Sequence, residues 1–387
     1  MEAEGLSGEI PPCISNLTYL VSIHLPNNSL SGHILPELGR LSRLRYLNLS
    51  FNTLTGTIPF SIGTLHNLSS LDLGNNRLSG EISPPLGSSG ALETICLPNN
   101  LLGGEIPQSL ANSSSTLTAL LLGQNQLQGF IPDFGKLSAL EILDLSYNDL
   151  SGTVPHSIYN LSSLSVLGLA NNNLRGTLPS DMGNTLHNIQ ILMMADNHFE
   201  GDIPATLQNA SRMISIHLGN NYLTGVIPSF GSMPNLKYVM LYANQLEARD
   251  WTFFSSLANC TQLKNLNVDT NNILHGRKAL RNGPTDRRIL LGPKGAGGHN
   301  LCRCLVGWGA GCPARRGRYL LDNTRIDLHH QLCLPLSPPA MAHLMGDFLW
   351  LAREAQEGSL TDEADCVSVT AVGDGLEDIT PEDGDRW

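Results

Sequence analysis

The feature that most constrains this chain is a short stretch of text that returns at a fixed interval. LDLSYNDLSGTVP (143–155) has near copies in LNLSFNTLTGTIP (47–59) and LDLGNNRLSGEIS (71–83). The starts of these copies differ by 24 residues or by a multiple of 24. Self-similarity at such a period is typical of stacked repeats, in which each unit buries its apolar face against its neighbours. The chain is therefore expected to form an elongated stack, without a single closed core.

Ten full copies share the pattern Leu-x-x-Leu-x-x-Leu-x-Leu-x-x-Asn-x-Leu-x-Gly-x-Ile-Pro. This pattern contains the signature of leucine-rich repeats. Its Leu-x-Leu run alternates with period two, as in a strand that buries one face, and successive units would pair these strands in parallel. The copies start at Leu17, Leu41, Leu65, Ser89, Ser114, Leu137, Leu161, Leu186, Ala210 and Met233.

The fold predicted from this pattern is an α/β repeat, a leucine-rich-repeat solenoid or horseshoe with a parallel concave sheet, followed by a largely disordered tail. Residues 1–16 hold a partial repeat without an N-terminal cap, and residues 17–276 hold ten full repeats and a partial one. Residues 277–387 are unassigned, because the phase is lost there after Leu274 adds one residue to the last unit. We therefore interpret this tail as an out-of-frame or mis-spliced continuation.

An asparagine follows every predicted strand. Its amide has donors and acceptors that can satisfy backbone groups where the chain turns, so we predict a structural role for this asparagine ladder. Further along the unit, recurring glycines such as Gly152 suit a turn with unusual backbone angles, and recurring prolines such as Pro59 fix an extended segment, although Leu35 replaces one proline. The ladder is Asn28, Asn52, Asn76, Asn100, Asn125, Asn148, Asn172, Asn197, Asn221, Asn244 and Asn271.

The Leu-x-Gly-x-Ile-Pro form of the repeat resembles plant extracellular leucine-rich repeats, above all those of receptor-like serine/threonine kinases. The longer unit LEARDWTFFSSLANCTQLKNL (246–266) resembles an extended repeat of the immune-receptor subgroup. The resemblance implies an ectodomain on the extracellular side of the plasma membrane. It also implies a peptide or protein ligand, with a co-receptor ectodomain as a second partner.

Several parts of that family are not found in this chain. The N-terminus, with Glu2 and Glu4, does not read as a signal peptide, and no apolar run of the tail reaches the length of about 18 to 20 residues that a membrane span needs. The residues after Gly276 lack the HRD and DFG motifs of a kinase. We therefore predict that the chain is an ectodomain fragment without enzymatic activity.

Charge and glycosylation signals separate the repeats from the tail. Residues 277–325 hold 11 basic and 2 acidic residues, whereas residues 326–387 hold 2 and 13, so the whole-chain net charge of −11 hides a strong asymmetry. All Asn-x-Ser/Thr sequons lie before Gly276. We predict N-glycosylation at these positions, of which Asn48 alone falls on a predicted strand. They are Asn16, Asn27, Asn48, Asn67, Asn112, Asn160, Asn209 and Asn259.

The tail contains motifs that we do not assign to a site. Cys302, Cys304 and Cys312 lack the paired spacing of a zinc ribbon, and the basic run at 314–318 has no interleaved aromatic residues. The glycine-rich stretch 292–300 lacks the spacing and the strand-to-helix context of a phosphate loop. We therefore expect no cofactor, no metal site, no catalytic residue and no nucleic-acid partner.

Ligand contacts are expected on the outward side chains of the concave strands. In the C-terminal half these include apolar and aromatic groups, which suit protein interfaces. Cys96, on the same face, is expected to be a free thiol. The candidate ligand-binding residues are Tyr147, Met193, His217, Tyr238, Met240 and Tyr242.

The sequence favours a ligand-sensing module of a plant receptor-like kinase in a defence or signalling context. One alternative is a secreted leucine-rich-repeat inhibitor of microbial wall-degrading enzymes, which would need a signal peptide and a cysteine-bearing C-terminal cap. Another is a non-functional product of a truncated receptor gene. The extended repeat around Trp251 favours the receptor over the inhibitor.

Overall fold

A computed structural model describes residues 4–88, 90–112, 116–248 and 252–273. The predictions for Leu274, for Trp251 and for the tail 277–387 therefore lie outside the described residues.

One parallel sheet of 11 strands runs the length of the repeats. Each strand has three residues, and equivalent positions of successive repeats pair directly, so that Leu143 lies between Leu120 and Leu167. The middle residue of each strand points into the core, and the first and third residues point to the outer face of the sheet. The strands are Ser22–His24, Tyr46–Asn48, Ser70–Asp72, Thr94–Cys96, Ala119–Leu121, Ile142–Asp144, Val166–Gly168, Ile191–Met193, Ser215–His217, Tyr238–Met240 and Asn265–Asn267.

The asparagine ladder closes the end of every one of these strands, as predicted. Asn76 shows the pattern: its Oδ1 accepts the Leu54 N–H of the preceding repeat at 3.0 Å, and its Nδ2 donates to Leu49 O and Leu73 O at 3.0 and 3.1 Å. Each amide thus joins two neighbouring repeats. All the predicted ladder residues accept such a backbone N–H, from Asn28 to Asn271.

A second parallel sheet, of 8 strands, follows the ladder and was not predicted. Its strands lie at the Leu-x-Gly run, where the glycine has a positive φ, such as 79° at Gly152, which a residue without a Cβ adopts readily. The strands are Thr55–Gly56, Arg77–Glu81, Leu101–Glu105, Gln126–Phe130, Asp149–Thr153, Asn173–Thr177, His198–Asp202 and Tyr222–Thr224, and a separate pair joins Ser7–Glu9 to Ser29–Ser31.

Short helices on the remaining side complete the units. The prolines at 59, 107 and 204 precede such helices in extended conformation, as predicted, and Leu35 adopts the same conformation because Pro36 follows it. The 3-10 helices are Pro12–Asn16, Pro36–Arg40, Phe60–Thr64, Pro84–Ser88, His156–Asn160, Ala205–Asn209 and Leu257–Asn259, and the α-helices are Gln108–Ala111, Met182–Thr185 and Thr252–Ser256.

The core is a continuous column of leucine and isoleucine between the two sheets and the helices. Repeating positions such as Leu71, Leu73 and Leu78 are fully buried. Larger side chains, including Phe134 and Phe230, fill the positions where the unit departs from leucine. Because each unit packs only on its neighbours, stability along this column is a sum of repeat and interface contributions.

A strained backbone position that the sequence did not reveal precedes each ladder asparagine. Its φ lies between 50 and 57° in every repeat. Asparagine tolerates this left-handed conformation, and it stands there in five repeats. Elsewhere the position holds residues that pay a steric cost, among them Phe51, Tyr147 and Ala243.

Candidate binding face

The outer face of the 11-stranded sheet carries five of the six predicted ligand-binding residues. Met193, His217 and Met240 occupy the third position of three adjacent strands and pair in that order. Tyr238 lies on the Met240 strand, and the phenol of Tyr242, two residues beyond it, is 3.4 Å from His217 Nε2. We call these five residues the C-terminal patch.

The C-terminal patch is uncharged around neutral pH. Burial lowers the pKa of His217 to about 4, so its imidazole is neutral there. The His217 and Tyr242 rings are tilted, with centroids 5.8 Å apart. The patch therefore offers thioether, imidazole and phenol groups without a net charge.

One feature of the predicted site is wrong, and one predicted residue lies apart from the others. Met193 was expected to be exposed, but its exposed fraction is only 5%, because it packs with apolar neighbours on the same face. Tyr147 does not join the patch. It lies beyond the strand Ile142–Asp144, in the strained turn position with a φ of 57°.

An apolar cluster, separate from the main core, lies next to the patch on the outer face, and the sequence analysis missed it. It combines first-position residues with third-position ones. The sequence does contain a pattern that predicts this cluster, because the first residue of the strand is Ala, Ile, Val and Ile in four successive repeats. We call this set the outer apolar cluster: Cys96, Ala119, Leu121, Ile142, Val166, Ala170, Ile191 and Met193.

Cys96 within the outer apolar cluster is not the free thiol that we expected. It is disulfide-bonded in the structure. The free cysteines among the described residues are Cys13 and Cys260.

Two buried aspartates accompany the outer apolar cluster. Asp72 and Asp144 are 2% and 6% exposed and occupy the third strand position. In each, Oδ1 accepts the backbone N–H two residues later, Gly74 at 3.1 Å and Ser146 at 3.0 Å. The carboxylates therefore end their strands in the same way as Asn48, whose Oδ1 accepts the Ser50 N–H at 3.0 Å.

Burial raises the pKa of both carboxyl groups, to about 7 for Asp72. The Gly74 N–H and the Ser50 and Asn48 side chains oppose the shift at Asp72 but do not cancel it. A carboxylate in such surroundings is costly unless a partner compensates its charge.

Neighbouring glycines make room for the Asp144 carboxylate. A Cβ at Gly168, on the next strand, would collide with Asp144 Oδ1, and a Cβ at Gly123 would lie 2.8 Å from Oδ2. The absence of a side chain at both glycines therefore leaves the space that the Asp144 carboxylate occupies between the two neighbouring repeats.

The predicted glycosylation sites lie on different surfaces. Asn160, Asn209 and Asn259 end short helices, far from the outer face, and are exposed. Asn48 is half-buried on a strand of the 11-stranded sheet. The remaining four, Asn16, Asn27, Asn67 and Asn112, are exposed. Attachment of glycans at these positions stays a prediction.

A polar cavity of about 350 Å³ is lined by the turns that follow the strands of three successive repeats. Asn220 Nδ2 donates to Asp196 Oδ1 at 2.7 Å, and the His198 and Tyr222 rings stand 5.7 Å apart. The described residues contain no group of three or more His, Cys, Asp or Glu arranged to hold a metal ion. Nor do they contain a helix long and apolar enough to cross a membrane.

Two segments match family models of leucine-rich repeats. Residues 115–174 match the model described as leucine rich repeat, and residues 42–87 match leucine rich repeats in two copies. Both segments lie within the predicted repeats. The protein folds as a leucine-rich-repeat solenoid. A comparison with curated proteins finds no significant match.

Solved structures similar to this solenoid include plant receptor ectodomains. A TDR receptor aligns with a TM-score of 0.63 and 31% identity over 68% of this chain and 45% of the receptor chain. The plant peptide hormone receptor RGFR1 in complex with RGF2 aligns with a TM-score of 0.51 and 27% identity, over 69% of this chain and 54% of that one. The solenoid thus spans about half the length of these receptor chains.

A solenoid with a different role is also similar. A plant ice-binding protein aligns with a TM-score of 0.53 and 30% identity, over 58% of this chain and 72% of that one. Likeness of the scaffold therefore does not by itself decide what the outer face binds.

Proposed function

We propose that this solenoid is a peptide- or protein-binding module from the ligand-sensing ectodomain of a plant receptor-like kinase. The observation that carries the proposal is the outer face of the 11-stranded sheet, where the C-terminal patch and the outer apolar cluster lie side by side. Neither set of side chains is needed for the main core, which the inward residues of the same strands already form. Aromatic, methionine and aliphatic groups held on a rigid sheet are suited to contact with another polypeptide.

The comparisons support this proposal in a coarse form. The similar structures include receptor ectodomains, one of them bound to RGF2. By analogy, the module would work on the extracellular side of the plasma membrane and would bring a co-receptor ectodomain to its ligand. A role in defence is a finer proposal, which rests on the resemblance of residues 246–266 to an extended repeat of immune receptors.

The module itself would bind without catalysing a reaction. The outer-face groups whose pKa is shifted are two carboxyls and a neutral imidazole spread over several strands, not a nucleophile with an adjacent base. In the proposed receptor, chemistry would belong to a kinase domain elsewhere in the protein.

A selection from a random peptide library against the full chain tests the proposal. The matched variants are Met240→Arg, which places a charge in the C-terminal patch, and Asn235→Arg, which places the same charge on an exposed turn outside the sheet. Selected peptides are expected to lose at least tenfold in affinity for Met240→Arg and to bind Asn235→Arg as they bind the parent chain. Peptides that bind both variants equally would show that the outer face is not the binding surface.

A further inference from the structure

Several departures from the repeat coincide at one place on the edge of the solenoid. The left-handed position before the ladder asparagine holds an acid in one repeat only, at Asp196. The position after the ladder asparagine holds aromatic rings in two successive repeats, His198 and Tyr222, and in no other repeat. All three side chains line the polar cavity of about 350 Å³. Ordinary variation would scatter such departures along the edge, so their meeting at one cavity indicates a site.

The acid in this cavity is not needed to join neighbouring turns. Asn220 Nδ2 donates to Asp196 Oδ1 at 2.7 Å. Five repeats earlier, Asn99 Nδ2 donates to Asn75 Oδ1 at the same distance, so that two amides form the same link without a carboxylate. What Asp196 adds is an acceptor-only group with a second oxygen and a negative charge.

The surroundings of Asp196 favour a ligand that donates hydrogen bonds to it. The side chain is half-buried, and burial raises its pKa although the Asn220 amide opposes the shift. A carboxylate that is partly removed from water is costly unless other donors replace the lost water. A bound group with O–H donors would supply them.

The two aromatic rings give the same cavity an apolar wall. The His198 and Tyr222 ring centroids are 5.7 Å apart, with an angle of 34° between the ring planes. Both side chains are exposed, Tyr222 by 52%, and neither belongs to the core. Exposed rings beside polar groups offer contact area to a ligand that is partly apolar and partly polar.

The polar groups of the cavity decide which ligand fits. The amides of Asn171 and Asn220 carry donors and acceptors side by side, and the Tyr222 hydroxyl can act in both ways. An ammonium or guanidinium group, which only donates, would leave the amide N–H groups without an acceptor. An anion would be repelled by Asp196 and would find no lysine or arginine among the described residues that line the cavity. Hydroxyl groups, which donate and accept, match the whole set.

We propose that this cavity binds one or two units of a neutral oligosaccharide. Asp196 accepts hydrogen bonds from sugar hydroxyls, the amides of Asn171 and Asn220 bind neighbouring hydroxyls, and the C–H face of the sugar ring lies against Tyr222. A volume of 350 Å³ is within the range of about 300 to 1,000 Å³ that is usual for small-ligand sites. The site is separate from the C-terminal patch, and the inference does not depend on the proposed function.

The test measures binding of defined oligosaccharides to the full chain by isothermal titration calorimetry and saturation-transfer NMR. The neutral probes are the β-1,4-linked tetramers of glucose, mannose and galactose. The matched anionic probe is the β-1,4-linked tetramer of glucuronic acid, and tetralysine is the cationic probe. We expect saturable binding of at least one neutral tetramer, with transfer to its ring C–H protons, and at least tenfold weaker binding of both charged probes.

Protein variants locate the bound sugar. Asp196→Asn keeps the link that Asn75 and Asn99 show and suits the left-handed backbone, and Tyr222→Asn has a precedent in Asn173 at the same position of another repeat. Each is expected to weaken binding of the best tetramer at least tenfold. Asp149→Asn is the control, an exposed acid at the strand start two repeats before His198, and should leave the affinity unchanged.

Each outcome bears on the inference separately from the proposed function. Met240→Arg in the C-terminal patch should leave sugar affinity unchanged, so loss of peptide binding and loss of sugar binding are distinguishable. The inference is overturned if no neutral tetramer binds, if Asp196→Asn and Tyr222→Asn bind the best tetramer as the parent chain does, or if tetralysine binds more tightly than every tetramer.

The source of the sugar is settled by coupling the best tetramer through its reducing end to a carrier protein. Unchanged affinity after coupling would support a glycan carried by a protein, and weaker binding would support a free oligosaccharide. Either result agrees with a neutral sugar as the ligand.

Discussion

The asparagine ladder and the outer face of the 11-stranded sheet differ in how completely their polar groups are paired. Every ladder amide accepts one backbone N–H, and those from Asn52 to Asn271 also donate to carbonyls of their own and the neighbouring repeat. On the outer face, one carboxylate oxygen and two hydroxyls of the described residues lie buried without a hydrogen-bond partner. The difference indicates where a binding function is to be sought. A surface whose polar groups are all hydrogen-bonded needs no partner, whereas buried polar groups without a hydrogen bond can be satisfied by one.

The largest effect is expected from removing one ladder amide. Asn148 accepts the Leu127 N–H at 3.0 Å and donates to Leu122 O and Leu145 O at 3.1 and 3.0 Å. Asn148→Ala leaves these buried backbone groups unpaired and should lower the free energy of unfolding by on the order of 4 to 5 kcal/mol, as measured by urea denaturation. Asn173→Ala, at an exposed position of the other sheet, is the control and should change it by less than about 0.5 kcal/mol.

The argument would be contradicted if Asn148→Ala changed the free energy of unfolding as little as its control does. Such a result would mean that water replaces the amide and that the ladder does not hold the repeats together. Asn148→Asp sharpens the comparison, since it keeps the acceptor and removes the donors. It should fall between the parent chain and the alanine variant.

Replacing a buried acid on the outer face is expected to raise the free energy of unfolding, whereas replacing a ladder asparagine lowers it. Asp72 has a folded-state pKa of about 7, above its ordinary value of 3.8, so its charged form is disfavoured by folding. Its contribution to stability is therefore fully present below about pH 4 and is lost as the pH rises through 7. Asp72→Asn should raise the free energy of unfolding at pH 8 by up to about 4 kcal/mol and change it little at pH 3.5.

Urea denaturation of the parent chain and of Asp72→Asn at both pH values measures this difference. Asp144→Asn should change in the same direction, because burial raises the pKa of that carboxyl too. A stability difference that is constant between pH 3.5 and 8 would contradict the argument. It would show that the Asp72 carboxyl is hydrated or already paired in solution.

A smaller gain is expected beside the ladder, at the strained turn position. Ala243 has a φ of 50° and precedes the ladder residue Asn244. Asparagine stands at this position in other repeats and tolerates the left-handed region, so Ala243→Asn should raise the free energy of unfolding by about 1 kcal/mol. The control is Ala205→Asn, at the exposed start of a short helix, and a gain there of equal size would mean that the backbone conformation is not the cause.

The sequence predicted those features that recur in every repeat. One amide per unit identified the ladder down to Asn271, and the Leu-x-Leu run identified the 11-stranded sheet and its register. The second sheet was missed because Leu-x-Gly was interpreted only as a turn, although Leu150 and Gly152 alternate as strand residues do. Features that recur in every repeat can therefore be predicted from the sequence, and these features form the scaffold.

The candidate site could be predicted only in part, because it depends on single departures from the repeat. The sequence placed Met193, His217 and Met240 on one face, and the strand register confirms this placement. It did not reveal that Asp144 is buried, since that depends on the missing side chains of Gly123 and Gly168 in the two neighbouring repeats. Such contacts between non-identical units appear only when the repeats are stacked in space.

Glycan occupancy should separate the two regions without a large effect on stability. Asn160 is exposed at the end of a short helix, whereas Asn48 is half-buried on the outer face, with its Oδ1 engaged by the Ser50 N–H and hydroxyl at 3.0 and 2.8 Å. If the chain is secreted from plant cells behind an added signal peptide, peptide mass spectrometry should find a glycan at Asn160 and much lower occupancy at Asn48. A glycan on Asn48 would stand next to Asp72 and obstruct that end of the binding face. Asn48→Gln should therefore leave peptide affinity unchanged if Asn48 is bare, and full occupancy at Asn48 would argue that ligands use only the strands beyond it.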